Sequence, residues 1–378
     1  MDFLKDFLVN EADGEEFFIW LICHEINTFP YLKSRQIMTL NSSIATEEDA
    51  TQWNTAVQST LHGTLFHTWE WLKIVEKHTG TTLYPLMCFK GTHLVAIYPV
   101  FLREKGFITI AESPPPRAYL LFLGPVIADY DALKQDKKET ALIAVQEEID
   151  RFLFSELGCN VVRIRSSPRM PDSRPFQWAG YHVEPRHTYR IDLTRGAGHV
   201  WEQFDRKLRV DIKKTEKEGV IVEEGGRSDL DFLHSSGARR LEQEGLQSFD
   251  SSAYLAELYE NFHPSNMKIY VARYKDERVG GMISLCYKDV MSLWVGVPKC
   301  TIPGISPNDL TQWKAILWAC DNGFNYYELM DNGVVPRLRP FKSKYNPELE
   351  NFFYAVKYSS SLYRMAESAW RQRRKGRE

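Results

Sequence analysis

The chain has 378 residues, 43% of them hydrophobic and 26% charged, with a formal net charge of −3 at pH 7. That length exceeds one ordinary core and predicts two or three domains, while the composition excludes a disordered chain. So small a net charge gives no global attraction to nucleic acid or anionic lipid, and any polyanion contact must come from a local patch.

Residues 1–35 read as a short helical extension, with Phe3, Leu4, Phe7 and Leu8 at helical spacing. The apolar run FFIWLIC at 17–23 is far too short to span a bilayer, and the sequence shows neither a secretory signal nor a transmembrane segment. Six scattered cysteines include no CxxC pair, and ten histidines form no HxxxH or HExxH set. The expectation is a cytoplasmic protein with no metal site and no disulfide framework. His62 and His67 read as ordinary surface or packing histidines.

Beyond the extension one plan occurs twice. An amphipathic helix around WEWLKIVEKH precedes a strand–turn–strand, PLMCFKGTHLVAIYPVFL (85–102). A second helix around SAYLAELYENF precedes KIYVARYKDERVGGMISLCY (268–287). Each hairpin is followed by a further predicted strand ending near glycine, YLLFLGPV (119–126) and SLWVGVP (292–298). A helix, a closing glycine and another strand come next, LGCNVVRIR in one copy and NGFNYYELM in the other. The first copy is the longer, with an insertion that includes the stiff SPPPRA stretch at 113–118. This duplication predicts two tandem α/β domains on mixed sheets, over residues 36–185 and 186–349.

Between the copies, HVWEQFDRKLRVDIKKTEKEG (199–219) reads as one amphipathic helix. Trp201, Phe204, Leu208 and Ile212 form its apolar face, and Arg206, Arg209, Lys213 and Lys217 form a separate cationic stripe. The stripe suits either a solvated helix with i,i+4 ion pairs or contacts to phosphate on a nucleotide, a diphosphate or an RNA. Further on, FKSKYNPELENFFYAV (341–356) sets Lys342 and Lys344 between Phe341 and Tyr345 where a strand gives way to a loop. Two cations in an aromatic frame are either a solvated edge covering the rings or a pair set to meet negative charge on a substrate or transition state. Ser306, Asn308 and Asp309 supply an N-cap for a helix near 309–321. Glu112 and Arg117 flank the proline insertion and suit either the lining of a first-domain cleft or, more simply, a structural turn. The basic tail RQRRKGRE (371–378) reads as a solvated end that could also attract RNA or a lipid-linked phosphate.

TYRIDLTRGAGHVWEQFDRKLRVDIKKTEKEGVIVEEG resembles the FemAB-like branch of the GNAT-type acyltransferases, with Thr215 where alanine is usual. So do FHTWEWLKIVEKH, GGMISLCY, PNDLTQWKAILWACDNGFNYYELMDNG and PFKSKYNPELENFFY. The resemblance implies duplicated GNAT-like domains, the first completed by residues 350–378. It implies transfer of an acyl or aminoacyl group to an amine-bearing acceptor, such as a cell-wall or cell-surface precursor, with peripheral contact to a membrane-linked precursor. No tightly bound cofactor is expected; the donor is aminoacyl-tRNA or acyl-CoA, so tRNA is a potential partner. The family's Phe-Lys-x-x-Phe pattern maps onto Phe341, Lys342 and Tyr345, which makes Lys342 the candidate for stabilising developing charge or binding the donor. The pyrophosphate loop of acetyl-CoA-dependent enzymes is missing: the chain has VPKCTIPGISPND there, with Gly304 between prolines. That favours aminoacyl-tRNA or another donor over a conventional CoA site, with Arg206, Arg209, Lys213 and Lys344 as donor or phosphate contacts. An attacking amine must lose a proton, and Glu328 and Asp331 are the candidate bases, although Asp331 suits a cap on the DNG turn better. Two rivals stand beside this: an acetyl-CoA-dependent N-acetyltransferase of an amino sugar or small amine, and a non-catalytic RNA- or nucleotide-binding module with the same fold.

Overall fold

The computed structural model describes residues 38–170, 172–243, 251–296, 300, 302–330, 338–365 and 367. The extension expected over 1–35, Asp331 and the basic tail at 371–378 lie outside the described residues. The compact unit beginning at Thr39 is built on one mixed sheet. Its strands are β1 (Asn41–Ile44), β2 (Thr82–Lys90), β3 (His93–Lys105), β4 (Ile108–Ser113), β5 (Val126–Ile127), β6 (Val161–Arg165) and β7 (His182–Asp192). They continue as β8 (Ile221–Glu224), β9 (Met267–Tyr274), β10 (Glu277–Tyr287), β11 (Val290–Gly296), β12 (Tyr326–Glu328) and β13 (Glu348–Tyr358).

The order across the sheet is β1-β2-β3-β4-β6-β13-β7-β12-β11-β10-β9-β8, with β5 on β3. Read from its two ends the sheet repeats itself. β1 to β4 and β8 to β11 are matching antiparallel runs, and β4–β6 and β11–β12 are matching parallel pairs. The duplicated GNAT-like plan is therefore present in the strand pairing. At the centre the copies exchange strands: β7, which follows the first copy, pairs with β12, and β13, at the end of the second, pairs with β6. β7 and β13 pair with each other along the seam.

Helices α1 (Ala50–Gln58), α2 (Trp69–Thr79), α3 (Gln135–Asp150), α4 (Arg174–Trp178), α5 (Gly196–Gln203) and α6 (Arg206–Lys217) come first. α7 (Arg227–Gln243), α8 (Ser252–Phe262), α9 (Pro307–Asp321) and α10 (Arg339–Ser343) follow. In α2 the residues Trp69, Leu72 and Val75 recur on one buried face. Gly80 ends that helix at φ 68°, the left-handed turn that glycine adopts without a Cβ penalty. The Ser251 hydroxyl caps α8 by accepting the Tyr254 N–H at 3.1 Å, and Tyr254, Leu255, Leu258 and Phe262 point inward. One core joins the two copies, where Trp71 of α2 packs on Phe262 and Trp294, ring centroids 4.9 and 5.5 Å apart. A second core holds α6 and α9 on the other copy's strands.

Four expectations are corrected. The third strand of the first copy is Ile108–Ser113, because a tight turn at Gly106 returns the chain at once; YLLFLGPV instead runs as buried loop into β5. The helix expected over 199–219 is two, broken where Phe204 turns extended and the Asp205 N–H leaves the helix for the Lys344 carbonyl at 2.9 Å. Residues 339–343 are a helical turn rather than a loop. Ser306 holds the N-cap position of α9, but its side chain makes no cap bond. His62 and His67 are packing histidines: burial pushes both imidazoles down to about 3, and each accepts a backbone N–H, from Ile127 and Thr64.

Candidate functional site

β11 and β12 pair through only three residues, Val290–Ser292 against Tyr326–Glu328. Beyond Ser292 and Glu328 the two strands separate, and the gap between them opens into a cavity of about 860 Å³. Leu293, Trp294 and Gly296 line one side, Leu329 and Met330 the other, and the start of α9 and parts of α6 and α10 close it. Gly280 lets α9 come this close, since a Cβ there would stand 2.7 Å from Asn308 Oδ1 and 3.0 Å from Pro307 Cβ. Parallel strands that splay leave backbone polar groups facing the gap, which suits an extended ligand that completes the ladder.

Lys342 reaches this cavity from α10 and is 5% exposed. Its Nζ donates to the Met330 carbonyl at 2.9 Å, which fixes the amine at the mouth of the splay. Lys344, two residues on, is held differently: Nζ lies 2.5 Å from Asp309 Oδ1 and over the Phe341 and Tyr345 rings at 4.6 and 5.6 Å. Asp309 also accepts the Tyr345 hydroxyl at 3.0 Å. The two lysines of the FKSK run thus part company. Both line the cavity, but Lys342 is anchored on Met330, while Lys344 ties the end of α10 to the first turn of α9.

That first turn is a poor pyrophosphate cradle. Pro307 has no N–H, and those of Asp309 and Leu310 bond back to the Ser306 carbonyl at 3.1 and 3.2 Å. From α6 the cavity receives Lys207 and Asp211, paired at 2.6 Å, and Asp205. Arg206, Arg209 and Lys213 do not line it; they stand on the outer flank of α6, where Arg206 and Lys213 are exposed. Lys213 lies 5.7 Å from the centre of the Trp201 ring. Arg206 at the first helical position, with no acidic residue in that turn, opposes the helix dipole, so helix stability does not explain the cation. Thr215, at the position where alanine was expected, is buried and its hydroxyl accepts the Ser306 N–H at 2.8 Å, docking α6 against the start of α9.

Glu328 sits at the last paired position of β12, 6% exposed. Burial lifts its carboxyl to about 7, against the hydrogen bond from Thr188 Oγ1 at 3.0 Å and a long one from Ser292 Oγ at 3.4 Å. It lines a second, smaller cavity of about 60 Å³ at the seam of the sheet. Met330 borders both cavities, so Lys342 and Glu328 stand on either side of one shared wall. The small cavity also brings in Arg169, Arg190, Lys288, Asp289 and Glu350, none of which the sequence singled out. They come from separate segments, and only Arg190 belongs to the TYRIDL stretch that carries the family resemblance around α6. Lys288 closes the cavity to the first copy, its Nζ donating to the carbonyls of Val57 and Gly63 at 2.6 and 2.7 Å and to that of Thr60. Glu112 lies away from both cavities, paired with Arg103 at 2.6 Å and Arg163 at 3.0 Å.

The sheet thus carries two parallel-pair units, with a splay and a cavity in the second. Residues 203–342 match the acetyltransferase (GNAT) domain family, the stretch that holds α6, the splay and Lys342. By structure the chain is similar to FemX, at 13% identity and a TM-score of 0.63, covering 83% of this chain and 96% of that one. L-PGS from Bacillus licheniformis aligns at 16% identity and a TM-score of 0.52, over 85% and 96%. A tandem GNAT protein from the clavulanic acid biosynthesis pathway aligns at 8% identity and 0.50, over 85% and 99%. No curated protein matches by sequence. These likenesses show a GNAT-like fold, and the strand pairing carries that plan twice. No described helix is long and apolar enough to cross a membrane.

Proposed function

We propose that the protein transfers an acyl or aminoacyl group to an amine, with the donor in the large cavity and the amine presented from the small one. The observation that carries this reading is the meeting of the two cavities at Met330, between Lys342 and Glu328. The amine nitrogen attacks the donor carbonyl carbon; a C–N bond forms and the carbonyl electrons move to oxygen. Lys342 Nζ donates to that oxygen in a site shielded from water, where such a contact counts most. Glu328, with a carboxyl near 7, takes the amine proton at neutral pH. The bond to the leaving oxygen or sulfur then breaks, and the leaving group takes up a proton. Asp331 stays a second candidate for the base.

For the donor we favour aminoacyl-tRNA. The start of α9 lacks a run of free N–H groups for a pyrophosphate, whereas Arg206, Arg209 and Lys213 lie along the outer flank beside the cavity, where a long polyanion would pass. The acceptor would be an amine-bearing molecule whose amine enters the small cavity beside Glu328. The acetyltransferase domain match favours acyl-CoA as the alternative donor. Titrating total aminoacylated tRNA and acetyl-CoA across a salt series, on wild type and on the Arg206/Arg209/Lys213 triple alanine variant, separates them. Tight, salt-steep tRNA binding that the variant abolishes supports the tRNA donor; salt-tolerant CoA binding alone replaces it with acyl-CoA. Binding without turnover that Lys342→Met leaves untouched would reduce the protein to an RNA- or nucleotide-binding module.

A further inference from the structure

The small cavity is more specific than an amine port. Arg190 on β7 and Glu328 on β12 are directly opposed in the antiparallel ladder, so their side chains leave the same face of the sheet. Side chains so paired start about 5 Å apart. The Arg190 guanidinium carbon lies 4.4 Å from the centre of the Tyr326 ring, and Nη1 donates to Glu350 Oε1 at 2.5 Å. Its Nε is buried and has no hydrogen-bond partner among the described residues. The edge formed by Nε and Nη2 is the one that accepts a carboxylate with two parallel hydrogen bonds. Arg169 stands by the same ring at 4.9 Å, bound to Asp289 at 3.2 Å, and adds positive field at this end.

At the other end, Glu328 has one short hydrogen bond and one at 3.4 Å, so Oε2 has capacity for a further donor. Arg190, whose Nε lacks a partner, and Glu328 thus line one cavity from directly opposed positions on neighbouring strands. We infer that the small cavity binds the head of a free α-amino acid, its carboxylate on Arg190 and its amine on Glu328. Only an α-amino acid carries both groups on one carbon; a lysine side-chain amine or an amino sugar has no carboxylate that near. A volume of about 60 Å³, against about 860 Å³ for the donor cavity, suits a compact ligand head. The inference rests on the acyl-transfer reading for what happens to the amine, but the binding stands on its own.

Calorimetric titration without donor tests it, using glycine and L-alanine against ethylamine, which lacks the carboxylate, and N-acetylglycine, which lacks the free amine. Glycine or alanine binds saturably, and the two mimics bind at least tenfold more weakly. Arg190→Lys keeps the positive charge but loses the planar edge, and it weakens amino-acid binding at least tenfold with an unchanged melting temperature. Arg169→Gln, away from the ladder centre, gives a smaller loss and guards against misfolding of the first variant. Equal affinity for ethylamine and alanine, or an Arg190→Lys affinity within twofold of wild type, overturns the inference. Mass spectrometry of products from mixed amines then separates the two readings. Acylation only of amines without a carboxylate sinks the amino-acid site and leaves acyl transfer standing; amino-acid binding with no product upholds the site and counts against transfer.

Discussion

The two halves of the sheet share one plan and differ where their parallel strands part. In the second half β11 and β12 separate after three residue pairs and leave a cavity of about 860 Å³. In the first half β4 and β6 pair from Ile110 to Ser113, and then the chain itself enters the gap. Leu123 bridges to Ser166, its N–H bonds the Arg165 carbonyl at 2.9 Å, and Leu120, Phe122 and Leu123 are buried. Gly124, at φ 85°, lets the segment lie this close, because a Cβ would meet Ser166 Cα at 3.2 Å. Trp294 and Tyr254 of the second half pin the segment by its Tyr119 and Ala118 carbonyls, both at 2.9 Å. One copy keeps the groove as a site; the other fills it with its own backbone and becomes scaffold.

If that contrast is right, Phe122→Ala should cost about 3–5 kcal/mol, as expected for emptying a packed aromatic site. Urea unfolding measures this, and equilibrium dialysis should still count one donor per chain; a second bound donor would break the comparison. Next, Lys342→Met should lower turnover about 10²–10³-fold, as for removal of one oxyanion donor, with little change in melting temperature. Lys344→Met should do the reverse, since Lys344 holds α10 to α9 through Asp309.

Glu328 sharpens the contrast through pH. Its folded value of about 7 lies above the unfolded carboxylate range, so the native state holds the extra proton between the two values. Stability linked to that proton is complete below the unfolded value and is lost as pH rises through 7, at most about 3 kcal/mol. Thermal melts of Glu328→Gln and wild type should converge at acid pH, and the variant should be the more stable at pH 8. Its transfer rate should lose the acid limb near neutrality along with most activity. The smallest effect belongs to α6: Arg206→Ala should stabilise the protein by about 0.3–1 kcal/mol by removing a cation from a helix start. In the triple alanine variant with Arg209 and Lys213, the salt slope of tRNA binding should fall by about 0.7–0.9 for each phosphate that is no longer neutralised.

Much of the repeat was legible because hairpins and amphipathic helices announce themselves through local periodicity. The segment 119–126 departs from the expected strand for a physical reason: YLLFLGPV is apolar and largely buried like a strand, but only Leu123 forms a bridge before β5. The break after Phe204 was hidden because its cause, the Lys344 carbonyl, lies 139 residues away. In the FKSK run the aromatic frame was visible, but the division of labour between its lysines depended on Met330 and Asp309, which the fold supplies. Glu328 was singled out from its strand alone. The residues around it were not, because Arg169, Arg190, Asp289 and Glu350 meet only when four segments converge on the seam.

The exchange of β7 and β13 has a consequence for how the protein is made. As the nascent chain leaves the ribosome, β6 emerges with one edge unpaired, and its partner β13 begins roughly 180 residues later, a delay of about 10–40 s at ordinary elongation rates. An exposed strand edge is a template for wrong pairing, so the first half spends its early life needing protection that the finished molecule does not. Stopping synthesis before Tyr358 therefore damages both halves at once, and the site in the second half cannot be inherited without the scaffold in the first.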